Sequence, residues 1–266
     1  MSILEAAVLG LLQGLTEFLP ISSTAHLRIV PALLGWKDSG AAFTAVLQLG
    51  TLVAVAGYFL PELLGMCKAA LGPDRKSDPR AARLLHLLIA TLPIGIVGLA
   101  FKSHIEGPLR HLAVIATSLI VVGLVMALAE RFCHPTRELD DTRMRDALLI
   151  GLAQTLALVP GVSRSGITLV AAMALGMRRD AAARYSFLLG IPAIGAAGVL
   201  ELPTVLRATD IGPGALAVGL VISTVSGYVA ISWLLKFLRT RSTLPFVIYR
   251  VALGLLLLSG LAAGWL

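Results

Sequence analysis

The chain has 266 residues, enough for one or two soluble domains, but 57% of them are apolar and only 14% are charged, against about 25% charge in an ordinary globular chain. The mean hydropathy of +0.89 points the same way. No aqueous core could hide that much hydrocarbon behind so few charges, so the solvent is lipid. The 22 Lys and Arg against 15 Asp and Glu leave a net charge of +7, which in a soluble domain would suggest nucleic acid. Here the basic residues gather in short loops between apolar runs, the pattern of cytoplasmic loops in a membrane protein. Nucleic acid is therefore not an expected partner.

In chain order, residues 1–36 come first. They lack the basic start and small-residue cleavage site of a signal peptide, and Gln13 and Glu17 interrupt the apolar stretch. The segment is apolar at both ends and polar in the middle, with Pro20 at its centre. A continuous spanning helix would place Glu17 and His26 deep in hydrocarbon. A helix, loop and helix that enters and leaves by one face avoids that cost, because its irregular backbone can be satisfied by protein or by a water-filled cavity. Three apolar runs near the length of about 20 residues needed to cross a bilayer follow, at 43–66, 84–101 and 112–130. Residues 146–176 then repeat the interrupted pattern around Pro160 and Arg164, and three further spans follow at 185–203, 215–235 and 246–266.

Loop charges set the orientation. The links holding Lys68 to Arg83, Arg131 to Arg145, Arg178 to Arg184 and Lys236 to Arg241 are basic and read as cytoplasmic. Those around Lys102 to Arg110 and Glu201 to Asp210 are less basic, carry acids and read as external. Cys67 and Cys133 lie at the ends of apolar runs without CxxC or His-paired spacing, and read as inert, unpaired thiols.

The two interrupted segments resemble each other. Gly10-Leu11-Leu12-Gln13 recurs 141 residues later as Gly151-Leu152-Ala153-Gln154, and Pro20-Ile21-Ser22-Ser23 recurs 140 residues later as Pro160-Gly161-Val162-Ser163. Leu49-Gly50 matches Leu189-Gly190, again 140 residues on. The expected fold is an all-α polytopic membrane protein with two inverted-topology repeats, 1–130 and 146–266, each a re-entrant hairpin plus three spans. Three crossings end on the face opposite their start. The hairpins therefore dip in from opposite faces, the first from outside, and meet near the midplane.

Polar residues able to do chemistry concentrate in those hairpins. Gln13 and Glu17 are four apart and share a helix face, Ser22, Ser23 and Thr24 follow Pro20, and His26 lies three beyond Ser23. The second hairpin presents Arg164 between Ser163 and Ser165, followed by Gly166. A guanidinium offers a planar fork of donors suited to phosphate oxygens, and hydroxyls with backbone amides at a helix start add an anion nest. Duller readings exist for each. The three hydroxyls could only satisfy a turn, Arg250 could snorkel to the cytoplasmic interface, and Gln48 and Gln154 read as interhelical hydrogen-bond glue. His86, His104, His111 and His134 have no metal-like partners nearby.

The stretches QGLTEFLPISSTAHL and PGVSRSG, with FTAVLQLG near the first and SFLLGIP near the second, resemble the bacitracin-resistance type of undecaprenyl-diphosphate phosphatase over nearly the whole chain. The resemblance implies an enzyme that removes the terminal phosphate of undecaprenyl diphosphate, a polyprenyl diphosphate lipid, to recycle the carrier for cell-wall synthesis. It implies a bacterial inner (plasma) membrane protein with its site toward the periplasm, dependent on Mg²⁺ or Ca²⁺. Many members carry Glu where this chain has Gln13. An amide offers a metal its carbonyl oxygen but no charge. Carried over, Glu17, Ser23, His26 and Arg164 are the catalytic set, with an arginine also found in the family at Arg250. By the residues' own chemistry Glu17 and Gln13 are the candidate cation ligands, and Ser22, Thr24, Ser163, Ser165 and Gly166, with Arg250, the candidate substrate contacts. Besides the lipid, a second copy of the chain is a candidate partner.

Breaking a phosphoanhydride requires an in-line nucleophile and neutralised phosphoryl oxygens. Ser23 is the preferred nucleophile, with His26 taking its proton, Arg164 clamping the phosphoryl group, and His26 the alternative nucleophile. The rival class is a polyprenyl-phosphate transporter or flippase, since inverted repeats with broken helices are a transporter architecture. A carrier has no need of a nucleophile and base. A purely structural membrane subunit would leave Glu17, His26 and Arg164 without use.

Overall fold

A computed structural model describes residues 1–133, 136–208 and 211–264. His134, the Asp210 end of one external link, and residues 265–266 of the last expected span lie outside the described residues. The elements are α1 Ile3–Phe18, α2 Ser23–Leu34, α3 Gly40–Tyr58, α4 Leu60–Leu71, α5 Pro79–Ala100, α6 Lys102–Glu106, α7 Leu112–Phe132, α8 Met144–Gln154, α9 Arg164–Ala174, α10 Arg179–Arg207, α11 Pro213–Leu238 and α12 Leu244–Ala262. Six of these, α3, α5, α7, α10, α11 and α12, are long and apolar enough to cross a membrane. The protein is an all-helical, multi-pass membrane protein.

Local chemistry explains the boundaries. α1 opens with a capping box in which the Ser2 hydroxyl accepts from the Glu5 N–H and the Glu5 carboxylate accepts from Ser2. It stops at Phe18 because Pro20 forces the preceding Leu19 into an extended conformation. At the start of α5, Asp78 caps the Arg80 N–H. The Arg80 guanidinium, followed by that backbone N–H, holds the Asp78 carboxyl below the ordinary carboxylate range.

One expected span is shorter than the sequence reading. The run 43–66 is divided at Phe59, where α3 ends and α4 begins. Pro61 has no N–H to give the Gly57 carbonyl, so the ladder breaks there.

Each interrupted segment folds back so that its two ends lie together. Met1 and Glu5 line one depression with Trp36, Asp38, Thr204 and Ala208, so the two ends of the first hairpin and the 201–211 link lie together. At the other end of the molecule Arg137 bonds Asp146 at 2.6 Å and the Leu175 carbonyl at 2.7 Å, tying the start of α8 to the end of α9. That second end carries a dense ion-pair set: Arg83 with Glu62 and Asp140, Arg184 with Glu62, and Arg179 with Glu130. The first end has Lys102 on Glu201, and Arg110 and Arg28 on Asp38.

Packing is exchanged between the halves. α1 lies along α11 and α8 along α5, while α3 pairs with α10 and α7 with α12. Each hairpin thus rests on the second crossing of the other half. Contact is backbone-close at Gly10 and Gly151: a Cβ would sit 2.5 Å from the Gly219 carbonyl oxygen in one case and 2.5 Å from the Ala90 carbonyl oxygen in the other. This packing brings the two turns together inside the bundle.

Candidate active site

The turns share an unusual backbone. Ser22 (φ 74) and Ser163 (φ 72) are the non-glycine residues with positive φ among the described residues. Such conformations cost about 1–3 kcal/mol each and persist only where the surroundings over-determine them. Here both serines cap the helix that follows, Ser22 accepting from Ala25 N–H and Ser163 from Gly166 N–H. The tips are also tied to each other, with Ser165 donating to the Leu19 carbonyl at 3.1 Å and Gly161 N–H to Thr24 Oγ1 at 3.5 Å. The consequence is positional. Ser23 and Arg164 become the first residues of α2 and α9, side by side where the tips meet.

Glu17, near the end of α1, joins them. Its Oε2 accepts from Ser23 Oγ at 2.7 Å and from Gln13 Nε2 at 2.9 Å, and its Oε1 accepts from Arg164 Nη2 at 2.9 Å. Arg164 also donates from Nη1 to the Ser186 carbonyl at 3.0 Å, lying flat on α10 at Gly190, where a Cβ would be 2.2 Å from Nη1. Glu17 is 5% exposed, so an unpaired charge there would be costly. The guanidinium neutralises it while keeping further N–H groups for an anion.

A cavity of about 490 Å³ opens beside this centre. Glu17, Ser22, Ser23, Thr24, Ser163 and Arg164 line its floor. The wall residues farthest from the rim along their helices are Gln48 on α3, Thr91 on α5 and Ala193 on α10. Above them comes an apolar belt including Ala45, Ile94, Gly95 and Ala197, and at the rim Lys102, Arg110 and Glu201. The cavity therefore runs from the hairpin tips to the end of the molecule that carries the less basic links.

Several expected site residues take other places. His26 does not reach Ser23: its Nδ1 donates to the Ser22 carbonyl and its Nε2 bonds the Tyr249 hydroxyl, both at 2.7 Å. The group beside the Ser23 hydroxyl is Glu17. A histidine on a helix start points back toward the N-terminus, where the carbonyl of the positive-φ serine awaits it. Arg250 neither snorkels nor lines the cavity. It is fully buried and donates to the carbonyls of Pro20, Gly161 and Val162, at 3.0, 2.8 and 3.0 Å, and to those of Leu119 and Ser118. It clamps both turns to α7 and α12. Ser165 and Gly166 likewise bond within the hairpin tips rather than lining the cavity. Gln154 donates to the Ala90 carbonyl at 3.4 Å, an interhelical bond as expected, whereas the Gln48 amide bonds no described residue and faces the cavity.

The residues present do not form a resident cation site. Both Glu17 oxygens are taken by N–H or O–H donors, Gln13 turns its N–H to Glu17 and does not line the cavity, and its buried Oε1 has no partner. Among the described residues no group of three His, Cys, Asp or Glu could hold a metal ion.

Fold and site together define a class: a polytopic membrane protein with a buried polar cluster assembled where two helix-turn-helix hairpins meet. The family model described as bacitracin resistance protein BacA matches residues 6–256, and the chain belongs to that family. It is 53% identical to an undecaprenyl-diphosphatase of Myxococcus xanthus, covering 99% of this chain and 91% of the relative. It is 52% identical to one from Gloeobacter violaceus, with 99% and 93% covered, and 50% identical to one from Synechococcus elongatus, with 98% and 94% covered.

Proposed function

We propose that the protein is an integral-membrane phosphatase that hydrolyses undecaprenyl diphosphate to undecaprenyl phosphate and inorganic phosphate, recycling the lipid carrier of cell-wall synthesis. The observation that carries this reading is the Ser23 hydroxyl held 2.7 Å from the Glu17 carboxylate, with Arg164 on the same carboxylate, at the floor of an apolar-walled cavity. Glu17 takes the Ser23 proton as Oγ attacks the terminal phosphorus. The bond to the bridging oxygen breaks, and its electron pair leaves on the prenyl phosphate, which receives the proton from Glu17. Water then attacks the phosphoserine with Glu17 again as base, the proton passes to Ser23 Oγ, and inorganic phosphate is released. Arg164 balances the charge that gathers on the equatorial oxygens.

The apolar belt suits the first isoprene units of a lipid, and the rim lies at the less basic end, which supports a site facing the periplasm of the inner membrane. A divalent cation, Mg²⁺ or Ca²⁺, would arrive on the diphosphate rather than on resident side chains. A carrier has no use for the hydroxyl and carboxylate pair, and the matched relatives are named as phosphatases. The test is phosphate release from a C15 or C55 prenyl diphosphate by detergent-purified protein, with and without EDTA. Binding of the lipid without phosphate release would overturn the reading and restore the transporter.

A further inference from the structure

We propose that Gln48 binds the phosphate that stays on the prenyl chain, so that the cavity holds the two phosphates of its substrate at two separate places. The inference rests on the phosphatase reading above. On the cavity floor Glu17, Ser23 and Arg164 are bonded to one another, and Ser22 and Thr24 share a hydrogen bond at 3.1 Å. The wall hydroxyls are also occupied: Thr44 donates to the Gly40 carbonyl at 3.0 Å and Thr91 to the Leu87 carbonyl at 2.8 Å. Arg110 at the rim is held by Asp38. The half-buried Gln48 is the exception, an amide in the cavity wall that bonds no described residue. An amide facing an apolar belt with nothing to bond is unfavourable, so the position is made for a ligand or for the water a ligand displaces.

Its depth selects the ligand group. The cavity face of α3 runs Ala41, Thr44, Ala45, Gln48, one helical stripe, and α3 begins at the rim end, where Gly40 N–H bonds Asp38. Gln48 therefore lies about 10 Å deeper than Ala41, at the boundary between the apolar belt and the polar floor. A prenyl diphosphate with its terminal phosphoryl at Ser23 and Arg164 and its chain in the belt puts the retained phosphate at that boundary. A neutral amide is chemically suited to the role. One of its N–H groups can donate to the bridging oxygen as that oxygen takes up the electron pair of the breaking bond, and the other to a neighbouring oxygen of the retained phosphate, yet it adds no full charge to hold the product.

The experiment measures binding of farnesyl phosphate and of inorganic phosphate, separately, to the purified protein and to Gln48→Met, which keeps the length of the side chain and removes its donors. Farnesyl phosphate affinity should fall about tenfold or more, a loss typical of hydrogen bonds to charged groups. Inorganic phosphate affinity should not change, and this also shows that the variant is folded. Gln48→Glu should lose still more farnesyl phosphate affinity by repulsion, with inorganic phosphate again far less affected. Unchanged farnesyl phosphate affinity, a parallel loss for both ligands, or a wild-type protein that binds only inorganic phosphate would each overturn the proposal. Failure of the underlying reading is separate, since it would show as no phosphate release from farnesyl diphosphate by the wild-type protein.

Discussion

The two hairpins share a backbone but not a chemistry. Each enters on a glycine that touches the opposite half, passes a buried glutamine, turns at a proline and starts its second helix from a positive-φ serine. In the first hairpin α1 remains helical to Phe18 and carries Glu17 to the turn, and Ser23 opens α2. In the second, α8 ends at Gln154 and tightens into a 3₁₀ turn over Thr155–Leu158, with Ala157 and Leu158 where Glu17 would correspond, and Arg164 opens α9. On the proposed mechanism one hairpin supplies nucleophile and base and the other the anion clamp. A symmetric frame thus makes an asymmetric centre through the one carboxylate that both hairpins bond.

The sharpest way to break the comparison is at two turn serines that hold different places, Ser23 as the first residue of α2 and Ser163 as the cap of α9. Ser23→Ala removes the proposed nucleophile and should lower kcat by at least about a thousandfold while the lipid still binds, as expected for a residue whose bond to phosphorus is the chemical step. Ser163→Ala, in the matching turn, removes a helix cap worth about 1 kcal/mol and should show mainly as a lower melting temperature. Steady-state kinetics and thermal melts on the two variants decide it. Equal kinetic losses would mean that the hairpins act as one structural unit and that Ser23 has no chemical role.

Next in size is the clamp. Arg164→Lys should be nearly as inactive as Arg164→Ala, with kcat down about a hundred- to a thousandfold. The guanidinium spans from the Glu17 carboxylate to the Ser186 carbonyl. An ammonium is a point charge that cannot hold both and still present a fork to two phosphoryl oxygens. Gly190→Ala tests the same geometry from α10, because its Cβ would displace Nη1, and it should depress kcat by shifting the Arg164 guanidinium while its charge and donors stay the same. An Arg164→Lys variant with most of the wild-type kcat would reduce Arg164 to a general electrostatic attractor.

Much of this was legible in the sequence, and the parts that were not have a common cause. Prolines and buried-charge costs give the hairpins, and the recurring glycine, glutamine and serine positions give their correspondence. Glu17, Ser23 and Arg164 follow because each is too polar for its neighbourhood to be idle. A three-residue spacing pairs Ser23 with His26 in the sequence, but the partner that holds His26 is Tyr249, 223 residues away. The span around Arg250 points to an interface, yet its fate depends on carbonyls freed by two distant turns. Gln48 differs from interhelical glue only through the space that α3, α5 and α10 leave beside it. Pro61, by contrast, was a local signal for the break at Phe59.

The apolar belt of the cavity offers a smaller effect that bears on its division from the floor. Gly95 on α5 lines the cavity, and a Cβ there would meet no atom within 4 Å, so Gly95→Leu fills the belt without pressing on the protein. KM for a prenyl diphosphate should rise about tenfold, roughly the 1.4 kcal/mol that one misplaced apolar group costs, while kcat stays close to wild type because the floor is untouched. A kcat loss of the same size would mean that the belt is part of the reacting geometry.

The last expected difference returns to the two buried glutamines. Gln13 and Gln154 hold matching places, are both fully buried, and both leave Oε1 without a partner. Their amide groups differ in what they serve: Gln13 Nε2 donates to Glu17 Oε2 at 2.9 Å, whereas Gln154 Nε2 makes a long bond to the Ala90 carbonyl at 3.4 Å. Replacing either by Leu removes an unsatisfied carbonyl oxygen, so neither should unfold the protein, and a nearly neutral or slightly favourable stability change is expected. Gln13→Leu also takes one donor from Glu17, the carboxylate proposed as base, which is then held by one bond fewer beside Ser23. Its kcat should fall about tenfold, the loss typical of one hydrogen bond to a charged group. Gln154→Leu touches no carboxylate and should leave kcat close to wild type. Steady-state kinetics and melting curves on the matched pair make the comparison, and an equal loss of kcat in both variants would mean that the Gln13 bond to Glu17 serves packing alone.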